Sequence, residues 1–150
     1  MDTKEKLTMD LKSSMKQQEK VRTKVIRMIL SSIKLAEVEK GDDLDAARIL
    51  SILQKELKTR EETIEEAQKA DRPEMISALN EEIEVIREYL PEELDDEELN
   101  KIIDEIIKRV GADSLKQMGL VMKESIDQVA GRAANDRISK LIKSKLSESH

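Results

Sequence analysis

The chain has 150 residues, of which 40% are charged and only one, Tyr89, is aromatic; its formal net charge is −6. It contains no cysteine, which excludes a disulfide framework, a thiol nucleophile and a cysteine-ligated metal. Apolar residues make up 38% of the chain and recur at helical spacing, while glycine, proline and alternating β-branched runs are scarce. The composition therefore predicts an all-α fold.

Two amphipathic helices are predicted first. The short first helix follows from three apolar residues at helical spacing, Leu7, Leu11 and Met15. The second helix ends at Gly41, and its stripe comprises Val21, Val25, Met28, Ile29, Ile33 and Ala36. Because Ile26, Leu30 and Leu35 lie off this stripe, we expect the second helix to be covered on more than one side.

Two longer helices with narrow apolar stripes follow, and they predict a long antiparallel, coiled-coil-like hairpin. The N-cap candidates of the third helix are Asp42, Asp43 and Asp45. We expect the core to lie along the stripes that contain Leu53 and Ile83. Arg60 interrupts the first of these stripes, and we expect its head group to reach water. Pro73 suits the start of the fourth helix, and we expect Pro91 to stop it.

Three more helices are predicted after Pro91, which makes seven. Asp95 resembles the cap of the fifth helix, and Gly111 ends it. Gly131 separates the last two helices and suits a left-handed helix terminus. Gly119, inside a helical pattern, predicts close approach of another segment. We therefore predict an N-terminal helical domain, residues 1–93, and a C-terminal three-helix domain, residues 94–150.

Residues 118–146, MGLVMKESIDQVAGRAANDRISKLIKSKL, resemble the tail domain of the GatB subunit of tRNA-dependent amidotransferases. The segments 25–39, 53–75 and 82–99 resemble the body of the freestanding proteins of the GatB/YqeY family. The resemblance covers about residues 5–147, and its most specific part is the combination of YLPEEL with MGLVM and GRA. It implies a small helical tail domain and association with tRNA, and it implies no defined reaction.

No group of residues predicts catalysis or metal binding. Carboxylate pairs such as Glu61 and Glu65 are numerous, and nothing singles one of them out for acid–base chemistry. A carboxylate-bridged metal site in a helical bundle needs Glu-x-x-His on two helices, whereas the one histidine is the terminal His150. We expect no catalytic residue, no metal site and no cofactor. A carbon–nitrogen ligase activity with glutamine as amido donor would require other subunits, so we predict that this chain alone is not an enzyme.

RNA binding is the function that the sequence favours. Residues 35–109 carry 11 Lys and Arg against 24 Asp and Glu, whereas residues 110–150 carry seven against five. With one aromatic residue the chain cannot stack many bases, so RNA contacts would be to phosphates. The candidate RNA-binding residues are Lys123, Arg132, Arg137, Lys140 and Lys143. The resemblance makes tRNA the expected partner, and reversing the charges of Arg137 and Lys140 is expected to leave the core intact.

Two alternatives remain. The lysines and arginines can be an ordinary solvated surface, or the chain can be a protein–protein adaptor for an aminoacyl-tRNA synthetase or an amidotransferase. In the adaptor, Met118 and Met122 would contribute to an adaptable apolar contact; otherwise they belong to the core.

No apolar run approaches the ~18–20 residues of a membrane span. The charged first 20 residues are unlike a signal peptide, so we expect a cytoplasmic protein without membrane contact.

Overall fold

The computed structural model describes residues 2–148, so His150 lies outside the described residues. Within that range the chain forms seven α-helices and no strand, which confirms the predicted all-α fold. The helices are α1 (Thr3–Lys16), α2 (Lys20–Lys40), α3 (Ala46–Lys69), α4 (Pro73–Arg87), α5 (Asp96–Val110), α6 (Met118–Val129) and α7 (Asn135–Glu148). A 3-10 turn, Leu115–Gln117, precedes α6.

Local capping explains where several helices begin and end. Asp45 and Asp95 each accept a hydrogen bond from the backbone N–H three residues later, at 2.9 Å and 2.8 Å, which confirms them as the caps of α3 and α5. Pro73 is the first residue of α4. Gly41 and Gly111 end α2 and α5 with φ angles of 79° and 68°, a left-handed conformation that glycine adopts without strain.

The end of α4 differs from the prediction. The helix ends at Arg87, and residues 88–90 form a turn before Pro91, so the expectation that Pro91 itself stops the helix was wrong by a few residues. The turn carries the Tyr89 ring into the core, where only 7% of the residue is exposed. Its hydroxyl donates a hydrogen bond to Asp10, and the Lys6 ammonium lies 5.4 Å from the ring centre. Burial, together with this hydrogen bond, raises the pKa of Tyr89.

The buried side chains form two hydrophobic clusters. The first is built from α1–α4 and contains Leu7, Val25, Ile26, Ile29, Ile33, Ile49, Leu53, Leu57, Ile83, Val85, Ile86 and Tyr89. The second begins at Leu94, is built chiefly from α5–α7, and contains Leu99, Ile103, Ile106, Val121, Val129, Ile138, Ile142 and Leu146. The division into domains at residues 93 and 94 stays a prediction, because α3 also contacts α6 and α7.

Arg60 does not reach water, so that expectation was wrong. Only 6% of the residue is exposed. Its guanidinium donates to the Glu82 carboxylate of α4 at 3.1 Å and to the Glu56 carboxylate at 2.7 Å, and it also donates to the Glu56 carbonyl at 3.1 Å. A buried cation is stable when carboxylates pair with it. Periodicity in α3 alone does not reveal the partner on α4.

The predicted stripe of α2 is partly wrong. Val21 and Met28 are 37% and 42% exposed, whereas Ile26, placed off the stripe, is fully buried. The reason is that α2 contacts α1, α3 and α4, so that its buried face is broad. That face is centred on residues 25, 26, 29 and 33. The expectation that α2 is covered on more than one side is confirmed. The side that stays exposed includes Val21 and Met28, which the sequence placed in the buried stripe.

The Glu37 carboxylate links α2 to α1 and to the segment before α3. Its carboxylate accepts hydrogen bonds from the Lys4 ammonium of α1 at 2.8 Å and from the backbone N–H of Leu44 at 3.0 Å. These two hydrogen bonds lower the pKa of Glu37 below its ordinary value of 4.5. In the same direction, Arg22 lowers the pKa of Glu88 and Lys58 lowers that of Asp136.

The pKa of each of these carboxyl groups is lower in the folded protein than in the unfolded chain. Each ionised carboxylate therefore stabilises the fold at pH values above its unfolded-state pKa. This contribution is lost as the pH falls through the folded-state pKa. We therefore expect the free energy of unfolding to decrease as the pH falls below about 5. Urea denaturation at several pH values checks this, with Glu37→Gln as the comparison. The variant should lose less stability than the parent over that range. Equal losses would show that Glu37 does not contribute to the pH dependence.

Candidate nucleic-acid interface

The turn between α6 and α7 depends on Gly131. Ala130 and Gly131 have φ angles of 49° and 81°, which reverse the chain after α6 and confirm the predicted left-handed role of Gly131. A Cβ atom at residue 131 would lie 2.3 Å from the Leu50 Cβ, so a side chain there would displace α3. The prediction that another segment approaches Gly119 closely was wrong, because a Cβ atom at that position would meet nothing within 4 Å. The close approach occurs at Gly131 instead.

Polar contacts fix the turn and the start of α7 against α3. The Gln54 side chain, 2% exposed, donates to the Gly131 carbonyl at 2.7 Å. One helical turn earlier, the Ser51 hydroxyl lies 3.1 Å from the Asn135 side-chain oxygen. Two ion pairs, Arg48 with Asp127 and Lys58 with Asp136, flank these hydrogen bonds. The C-terminal helices are thus oriented by α3 as well as by their own core.

Two of the five candidate residues hold the segment that joins α4 to α5. Arg132 Nε donates to the Glu92 carbonyl at 2.9 Å. Arg137 donates to the Leu94 carbonyl and to the Asp96 carboxylate, both at 2.8 Å. Both arginines are half-buried. The expectation that a charge reversal at Arg137 leaves the core intact was therefore wrong, because glutamate there would leave the Leu94 carbonyl without its donor.

The other three candidates, Lys123, Lys140 and Lys143, are exposed and form no salt bridge with any residue of the described chain. Lys123 lies on α6, whereas Lys140 and Lys143 lie one turn apart on α7. Arg137 and Lys140 line a shallow groove of about 390 Å³ between α5 and α7. The structure thus brings Arg137, Lys140 and Lys143 onto neighbouring positions of one helix, whereas Lys123 lies on the preceding helix.

Sequence reasoning missed the structural contacts of the two arginines. Their acceptors are backbone carbonyls 40 and 43 residues away, so no local pattern reveals them. Met118 and Met122 are half-buried and pack against the second hydrophobic cluster. This position favours a core role for both methionines over the apolar contact that the adaptor alternative requires.

Residues 2–148 contain no group of His, Asp or Glu side chains that could hold a metal ion. Their helices also include none with the length and apolar character that crossing a bilayer requires.

Comparison with known proteins agrees with the sequence resemblance. The model of a family described as Yqey-like protein matches residues 4–146. A protein of Lachancea thermotolerans named "Altered inheritance of mitochondria protein 41, mitochondrial" is 34% identical over 91 residues, which is 60% of this chain and 49% of that protein. The chain therefore spans about half the length of this relative. By the match over nearly its whole length, the chain belongs to the family of YqeY-like proteins.

Proposed function

We propose that this protein is a non-catalytic accessory protein that binds folded tRNA through exposed lysines of its C-terminal helices. The observation that carries the proposal is that Lys123, Lys140 and Lys143 are exposed and form no salt bridge within residues 2–148. The neighbouring Lys145, in contrast, pairs with Asp104 at 2.7 Å. Family membership and the resemblance of residues 118–146 to the GatB tail support tRNA as the polyanion.

The available side chains determine how the RNA would be bound. Tyr89 is 7% exposed, so the described chain offers no aromatic platform for an unstacked base. Binding would therefore consist of lysine contacts to phosphates on a folded RNA surface. Arg132 and Arg137 act as positioning residues, since their guanidinium groups hold the segment before α5. With three lysines and an acidic chain, the affinity should be modest and sensitive to salt.

Binding of fluorescently labelled bulk tRNA to the full chain, followed by anisotropy in about 50 mM salt, tests the proposal. Lys140→Glu/Lys143→Glu should weaken binding about tenfold or more, because two phosphate contacts become repulsive. The matched control is Lys20→Glu/Lys34→Glu on α2, which changes the net charge equally and should leave tRNA binding unchanged. Equal loss in both variants, or no binding by the parent, would contradict the proposal.

The place where the protein acts stays a prediction. The relative in Lachancea thermotolerans carries the word mitochondrial in its name. For this chain we propose the cytoplasm. Fractionation of cells that produce the full protein would decide between the two compartments.

A further inference from the structure

The outer face of α2 combines cations with exposed apolar side chains. We call this face the basic seam and define it by nine exposed residues: Lys20, Val21, Lys24, Arg27, Met28, Ser31, Lys34, Leu35 and Val38. Of the nine large hydrophobic side chains that are exposed in the described chain, six lie on α1 and α2. The exposure along the seam rises from 37% at Val21 to 62% at Leu35 and 71% at Val38.

The seam has a seven-residue repeat. Val21, Met28 and Leu35 occupy equivalent positions seven residues apart, and a cation directly precedes each of them. Three residues after each apolar member come Lys24, Ser31 and Val38. In a coiled coil this is the arrangement of apolar residues at every a position and basic residues at every g position, with Val38 as the one apolar residue at d. The repeat is independent of the core, because the buried residues of α2 are Val25, Ile26, Ile29 and Ile33.

Most cations of the seam remain available to a partner. Lys20 and Lys34 form no salt bridge within residues 2–148. Arg27 lies 3.1 Å from the Met15 sulfur, and it pairs with no described carboxylate. Lys24 approaches the Glu82 carboxylate only to 3.7 Å. The g-type positions Lys20, Arg27 and Lys34 thus present three positive charges at seven-residue intervals beside an apolar row.

We propose that the basic seam binds an amphipathic helix of another protein, one whose apolar stripe is flanked by Asp or Glu at seven-residue intervals. Such a helix buries the apolar row and places carboxylates opposite Lys20, Arg27 and Lys34. Folded RNA would match the cations but leave the apolar row beside phosphates. A membrane surface would favour a wider apolar face than this narrow row, which Ser31 and Lys24 interrupt.

A second copy of this chain fits the seam poorly. Its exposed acidic side chains are spread over α3, α4 and α5, and within the described residues these three helices expose only one large hydrophobic side chain, Met75. One such side chain cannot fill a row of three or four apolar positions. The partner helix therefore has to come from a different protein. This proposal is independent of tRNA binding, since the seam and the lysines of α7 are on different helices.

Two designed 21-residue peptides test the proposal with the full chain. Both carry leucine at a and d positions, and the flanking e and g positions are glutamate in one peptide and lysine in the other. In about 150 mM salt, where the Debye length is near 8 Å, we expect the full chain to bind the glutamate peptide at least tenfold more tightly than the lysine peptide. Lys20→Glu/Arg27→Glu/Lys34→Glu should reverse that preference, because the charges at the g positions change sign.

Two further variants separate the seam from general electrostatics. Leu35→Ser/Val38→Ser keeps every charge and should weaken glutamate-peptide binding about tenfold, through loss of apolar burial. Lys140→Glu/Lys143→Glu, the variant that tests tRNA binding, should bind the peptide as the parent does. The proposal is overturned if the parent does not distinguish the peptides or if the serine variant binds equally well. Two outcomes with Lys20→Glu/Arg27→Glu/Lys34→Glu also overturn it, if this variant still binds the glutamate peptide as the parent does. One is loss of dimerisation of the chain, and the other is loss of binding to phosphatidylserine vesicles.

Discussion

Replacing Leu53 with alanine is expected to lower the free energy of unfolding by about 2–5 kcal/mol. Leu53 lies on α3 and is fully buried in the first hydrophobic cluster. With Tyr89 as the only aromatic residue, that cluster relies on leucine, isoleucine and valine, each of which contributes about 1.5–3 kcal/mol when fully buried. Removing three carbon atoms therefore leaves a cavity that the surrounding helices can only partly close.

Urea denaturation monitored by far-ultraviolet circular dichroism measures the effect. Ile83→Ala, across the α3–α4 contact at 4% exposure, should show a loss in the same range. The matched control is Leu35→Ala, because Leu35 is 62% exposed and its truncation should change stability by less than about 0.5 kcal/mol. If both core variants lost less than about 1 kcal/mol, the core could not lie along these stripes.

The second large effect is expected at Arg60. Replacing it with alanine should destabilise the protein by about 3 kcal/mol, the lower end of the range for breaking a buried ion pair. The lower end applies because the side chains of Glu56 and Glu82 are 23% and 13% exposed, so that water can partly solvate them. The loss has two parts, the packing of the Arg60 stem and the loss of the guanidinium from both carboxylates, of which Glu82 keeps only the Lys24 ammonium at 3.7 Å.

Variants at both partners separate these parts. Arg60→Met keeps most of the stem and should still lose more than about 1 kcal/mol, since both carboxylates lose the hydrogen bonds of the guanidinium. Glu82→Gln in the Arg60→Met background removes one of those charges and should recover part of the loss. The same Glu82→Gln change in the parent should be destabilising. Additive effects of the two substitutions would show that Arg60 and Glu82 are not coupled.

Features of the fold that depend on local physics could be predicted from the sequence. Helical periodicity predicted seven helices, and the short polar side chains of Asp45 and Asp95 identified two helix starts. Gly111 and Gly131 were recognised because glycine tolerates positive φ angles. In each case the information lies within a few residues of the feature.

Features that depend on distant partners could not be predicted. Periodicity cannot show that Glu82 neutralises Arg60, since the two lie 22 residues apart. The same limit applies to Arg132 and Arg137, which looked like surface cations and instead bind carbonyls of the segment before α5. For α2, three neighbouring helices determine which apolar residues are buried, so its sequence alone could not separate the core face from the basic seam.

For the candidate interface, the sequence identified the positively charged residues, but it did not show which of them are free of intramolecular partners in the described chain. All five candidates are cations, and only the structure distinguishes the exposed Lys123, Lys140 and Lys143 from the two arginines with intramolecular partners. The difference matters for experiments, because a variant at Arg137 would mix loss of RNA contact with loss of structure. Substitutions at Lys140 and Lys143 avoid this problem, since neither forms a salt bridge within residues 2–148.

The salt dependence of tRNA binding tests the proposed function most directly. If Lys123, Lys140 and Lys143 each contact one phosphate, the logarithm of the association constant should fall with the logarithm of salt concentration with a slope of about −2 to −3. Anisotropy titrations of the full chain in salt from about 50 to 200 mM give this slope. In Lys140→Glu/Lys143→Glu the slope should become shallower by about 2, one for each lost contact. An unchanged slope in that variant, or binding by the parent that does not depend on salt, would contradict tRNA binding through these lysines.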